Sequence, residues 1–106
     1  MFRQGDILLM PASPTLLSES ARPLPRDARG RLVLALGEAT GHAHAVAAPD
    51  AQLLAEPGEV DRRFLRIVTE TLLTHEEHAP IPLPAGLYQV VRQREYLPAG
   101  IRPVAD

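Results

Sequence analysis

Ala79-Pro80-Ile81-Pro82-Leu83-Pro84-Ala85-Gly86 is the stretch that decides the fold class. Proline lacks a backbone N–H and breaks helix interiors, so this run is not helical. In an extended strand alternate residues share an orientation. Pro80, Pro82 and Pro84 therefore strip the donors from one edge and leave the other able to pair. The pattern predicts an edge strand that pairs on one side only and resists edge-to-edge aggregation. Ile81 and Leu83 are expected to carry its apolar side.

Working outward, Pro84-Ala85-Gly86 turns the chain into a last strand over 87–95. Upstream, 62–69 reads as a strand, with 71–74 continuing it after a bulge, and Glu56-Pro57-Gly58-Glu59 is a turn. Residues 31–36 place Leu32, Leu34 and Leu36 on one strand face. Gly37 to Gly41 reads as a hairpin loop, with 42–48 as the returning strand. Gly5-Asp6 is a turn that releases a short strand over 7–10. Residues 11–30, with Pro11, Pro14, Pro23 and Pro25, read as one long loop. No long stretch carries the helical spacing of apolar residues. The expectation is an all-β chain: a small single-domain barrel or sandwich of about six to eight short strands, spanning residues 1–106.

A chain of 106 residues with 45% apolar residues and eleven prolines fits one modest aliphatic core. The formal charge of −2 gives no general pull toward nucleic acid or anionic membrane. The basic residues are all Arg and are scattered along the chain. Absence of cysteine excludes disulfides and thiolate metal sites and fits the cytoplasm. The apolar run 7–10 is too short for the core of a secretory leader, and no run approaches the roughly 18 apolar residues of a membrane span.

The chemistry is concentrated in histidine. All four fall in two tight pairs, His42 with His44 and His75 with His78. On a strand, positions i and i+2 share a face, so His42 and His44 project side by side. His75 and His78, three apart, point the same way only in a turn, and Thr74-His75-Glu76-Glu77-His78 lies where a turn fits. If that turn faces the hairpin, four imidazoles converge within about 10 Å, as ligands of one ion do. Imidazole suits zinc, iron, nickel or copper. Glu38, Glu76 and Glu77 are candidate carboxylate ligands, orienting groups or bases. The competing reading is a hydrogen-bonded histidine network with no metal. The spacing is not the HExxH of metalloproteases, whose histidines are four apart on a helix. Arg92, Arg94 and Tyr96 share a strand face that reads as solvated, with cross-strand ion pairs; base stacking or anion binding is its sharper reading.

Four stretches carry a resemblance: Arg3-Gln4-Gly5-Asp6-Ile7-Leu8, Gly37-Glu38-Ala39-Thr40-Gly41-His42-Ala43-His44, His75-Glu76-Glu77-His78-Ala79-Pro80-Ile81 and Arg92-Gln93-Arg94-Glu95-Tyr96. Together they resemble a family of small uncharacterised bacterial and phage-associated proteins, over nearly the whole chain; the resemblance implies no activity. His42-x-His44 is also similar to the centre of the cupin motif, which holds a metal in a small β-barrel. The cupin glutamate is missing after His44, and Leu87-Tyr88 follow Pro84-Ala85-Gly86 where cupins place a histidine.

The sequence thus reads first as a small binding or accessory protein of undefined role, in which His42, His44, His75 and His78 hold a transition metal or form a polar network. The alternative is a small metal-dependent, cupin-like enzyme. No organic cofactor is signalled. The partner and the oligomeric state stay open, a protein partner being compatible with the reading, with neither membrane nor nucleic acid expected as a target.

Overall fold

The computed structural model describes residues 1–36, 42–58, 62–92, 96–97 and 100–101. The chain is all-β. Its strands are β1 (Phe2–Gln4), β2 (Ile7–Pro11), β3 (Arg22–Pro23), β4 (Leu32–Leu36), β5 (Ala43–Val46), β6 (Gln52–Ala55), β7 (Arg63–Ile67), β8 (Thr71–Leu73), β9 (Ile81–Leu83), β10 (Gly86–Arg92), β11 (Tyr96–Leu97) and β12 (Gly100–Ile101). Six of them form one antiparallel sheet in the order β1-β2-β10-β7-β6-β3. Among the described residues this sheet ends at β1 and β3 and does not close into a barrel.

Register explains which side of the sheet is apolar. Leu9 faces Val90, Tyr88 faces Leu65, and Leu65 faces Leu53. With Ile7 and Ile67 these residues make one inner face, in keeping with the period of two along each strand. A second layer covers that face. There β4 pairs with β5, β8 pairs with β9, and a bridge between Ala45 and Thr74 joins the two pairs. The layer contributes Leu32, Leu34, Val46, Leu73 and Leu83 to the shared core. At the sides β1 lies against β9, and β4 against β6. The result is a sandwich with one aliphatic core.

The proline-rich stretch behaves as an edge. β9 pairs with β8 alone among the described residues, through Thr71 to Leu83 and Leu73 to Ile81. Leu83 is fully buried, whereas Ile81 is only half-buried.

Three expectations need correction. Among the described residues the strands number twelve rather than six to eight, because pieces such as β3 and β8 are too short to show alternation. Residues 71–73 do not prolong β7. The chain bends at Val68-Thr69 and crosses to the other layer, with Thr69 Oγ1 held 2.8 Å from Asp50 Oδ2. The alternation expected for 31–36 is broken by a bulge between Val33 and Ala35, which sets Ala35 opposite His44.

Residues 11–30 contain more order than a bare loop. A single 3-10 turn covers Pro14–Leu16, with Ser13 as its N-cap, and β3 follows. Arg26 anchors the rest: its guanidinium donates to the carbonyls of Gly30, Ala48 and Ala51, each at 2.8 Å. The hairpin loop expected at 37–41 lies outside the described residues, Glu38 included.

Candidate metal centre

The inner face changes character at one end of the sandwich. Gln4 pairs with Ile7 across the β1–β2 hairpin, and Arg92 pairs with Ile7 from β10. Both stand in inward positions, but both are polar. The hairpin turn is Gly5-Asp6. Gly5 has φ 58°, and no non-glycine residue among the described residues has positive φ, which suits a turn with glycine at its first central position. This tight turn sets Gln4 and Asp6 beside each other, and both are buried.

His44 lies opposite, on β5, with no exposed surface. Its Nδ1 is 2.9 Å from Gln4 Oε1. The Gln4 amide nitrogen donates to the carbonyls of Leu73 and Ala79, both at 3.0 Å. That commitment fixes the amide orientation, so Gln4 offers oxygen to His44, and His44 Nδ1 carries the proton. On the other side His44 Nε2 is 3.5 Å from Asp6 Oδ1, an ion pair whenever the imidazole is protonated. Asp6 Oδ2 accepts from Arg92 Nε at 2.8 Å. A buried polar chain therefore runs Gln4–His44–Asp6–Arg92.

The turn after β8 brings in the second pair of histidines. His75 Nδ1 accepts backbone N–H groups from Glu77 at 3.0 Å and His78 at 3.2 Å, so the imidazole caps its own turn. Thr74 and Ala45 exchange backbone bonds at 2.9 and 3.0 Å, which fixes this turn against β5. The rings then meet. Centroid distances are 4.4 Å for His44–His75, 4.6 Å for His75–His78, 5.5 Å for His42–His75 and 6.0 Å for His44–His78. All four imidazoles lie in one cluster.

Within it, His42, His75 and Glu76 each present a ligand atom within 4.8 Å of the others, the spread of donors around a single ion. Glu76 Oε2 accepts the Ala43 N–H at 2.9 Å. That donation holds the Glu76 carboxyl below the usual carboxylate range and ready to ligate. Glu77 Oε1 stands 3.4 Å from His42 Nδ1, where a carboxylate orients a ligating imidazole. His44 and His78 pack on the His75 ring, at 4.4 and 4.6 Å. The Nε2 of His78 is buried without a hydrogen-bond partner among the described residues.

The pairing of histidines in the sequence pointed to the cluster of rings, and Glu76 and Glu77 were among the carboxylates expected beside it. Gln4 and Asp6 were missed as its supports. Their signal was a polar residue at an inward position of the first hairpin, visible only once the register is known. Arg92 pairs with the buried Asp6 of the β1–β2 turn from an inward position, rather than across strands on a solvated face; Arg94 and the side chain of Tyr96 lie outside the described structure.

Fold and site together define a small antiparallel β-sandwich with a buried histidine cluster at one end. The chain belongs to the family described as Domain of unknown function (DUF8820), whose profile matches residues 3–93, a span that holds every residue of the cluster. No curated protein and no solved structure matches the chain. No helix among the described residues is long and apolar enough to cross a membrane.

Proposed function

We propose that this domain is a small metal-holding binding module, in which His42, His75 and Glu76 take one divalent transition-metal ion. The observation that carries the reading is the gathering of these three ligand atoms within 4.8 Å. Two imidazoles and a carboxylate suit zinc, iron, nickel or copper. Glu77 orients His42, and the Gln4–His44–Asp6–Arg92 chain supports the floor of the centre. The test is elemental analysis of protein purified without an affinity tag, followed by calorimetric titration with zinc. One ion per chain is expected, lost in Glu76→Gln and His42→Ala. Failure of zinc, nickel, cobalt and iron alike to bind would remove the reading.

The ligand count favours one further reading. Three protein ligands leave a position of a tetrahedral ion open, as catalytic sites do. Cobalt(II)-loaded protein distinguishes the two. A visible spectrum that shifts on addition of azide marks an open, reactive position. An unchanged spectrum marks a closed centre and a binding role.

A further inference from the structure

We infer that loading the metal centre releases the 75–78 turn, so that His75 acts as a latch closed only in the metal-free protein. The inference rests on the metal-centre reading and concerns what binding does to the chain. His75 Nδ1 accepts two backbone N–H groups, from Glu77 and His78. A nitrogen that accepts holds a lone pair, so the neutral ring carries its proton on Nε2.

An ion can reach this ring in two ways. At Nδ1 it takes the lone pair that the two amides share. At Nε2 it needs that nitrogen deprotonated, and a neutral imidazole then keeps its proton only on Nδ1, facing two donors. The proton leaves Nε2, passes through solvent and arrives at Nδ1, with none released from the ring. Turning the ring by half a revolution puts a C–H where Nδ1 stood. Each route takes the acceptor away from both amides. An imidazolate would escape this only by giving up the one ring N–H proton altogether, whereas neutral imidazole is the ordinary ligand.

Glu76 need not follow. Its Oε2 takes the Ala43 N–H at 2.9 Å, and Oε1 lies at 3.4 Å, so one oxygen can ligate while the other keeps Ala43. The change is therefore confined to Glu77 and His78. Glu77 stands beside His42, and the His78 ring packs on His75 at 4.6 Å. Movement of their backbone alters the rim of the same centre.

The test is NMR of 15N-labelled protein titrated with zinc chloride and then EDTA, with binding followed in parallel by calorimetry. In the metal-free state His75 should show the Nε2–H pattern and both amides should be protected. With zinc the ring should lose that pattern or show zinc at Nδ1. The Glu77 and His78 amides should then exchange at least about tenfold faster, and EDTA should restore both. Glu76→Gln, at zinc levels that saturate the wild type, should keep the two amides protected. Zinc bound with both amides still protected overturns the latch and leaves the metal centre standing. No binding at all overturns both.

Discussion

His44 and Gln4, forty positions apart in the chain, meet at 2.9 Å with no water-accessible surface on the histidine. Gln4 satisfies three groups at once: His44 Nδ1 and the carbonyls of Leu73 and Ala79. A buried polar group stripped of its partner costs more than an average hydrogen bond contributes. Gln4→Ala should therefore lower stability by about 2–4 kcal/mol, an estimate from the loss of several buried bonds together. Urea unfolding measures it. A midpoint within error of wild type would show that the amide holds nothing.

Arg26→Ala should cost about 1–3 kcal/mol, since one guanidinium serves carbonyls on two separate loops. Arg26→Lys should recover only part of this, because an ammonium lacks the planar fork that reaches several carbonyls together. Limited proteolysis should find the 24–31 segment more labile in both variants, and most in the alanine.

These two residues also show where reading the sequence stops. The proline alternation, the paired histidines and the apolar strands all rest on local spacing, so all-β character and the convergence of four imidazoles were legible. Ala35 opposite His44 was not, because a bulge breaks the spacing on which the reading of 31–36 depends. Gln4, Asp6 and Arg26 were not, because each gains its role from partners far along the chain. The passage of β8 to the second layer was hidden for a similar reason: Val68-Thr69 is a bend too short to separate from a bulge.

Burial should separate two neighbouring aliphatic residues. Leu65 is fully buried at the centre of the shared core, and Val68 is 56% exposed at the bend. Leu65→Ala should destabilise by about 2–5 kcal/mol, through lost transfer energy and the cavity left behind. Val68→Ala should stay within about 0.5 kcal/mol. Equal effects would contradict the placement of the core.

Tyr88 should give the protein an alkaline limb. Burial pushes its phenol pKa above the ordinary 10.0, and its hydroxyl donates to Pro84 O at 2.8 Å. A group whose folded pKa is raised adds stability that is complete below the unfolded value. That stability is lost as pH rises through the folded value. Stability should therefore hold up to about pH 10 and fall beyond it. In Tyr88→Phe this fall should be shallower, with a lower plateau from the lost Pro84 bond. Thermal melts across pH 8–11, a range set about the ordinary tyrosine pKa, make the comparison.

The two histidines of β5 and its approach should respond differently to substitution. His44 is fully enclosed between Gln4 and Asp6, whereas the His42 side chain is 25% exposed at the rim. His44→Ala should lower the melting temperature of metal-free protein, since it leaves a cavity and breaks the polar chain. His42→Ala should leave the metal-free melt nearly unchanged. Added zinc reverses the order of interest. An ion that binds only the native state stabilises by about 2.7 kcal/mol when present at 100 times its dissociation constant. Wild type should show that increment and lose it to EDTA, and His42→Ala should show none. The same increment in His42→Ala would mean that zinc binds elsewhere. A metal-free melt of His44→Ala equal to wild type would mean that the enclosed imidazole is not part of what holds the sandwich shut.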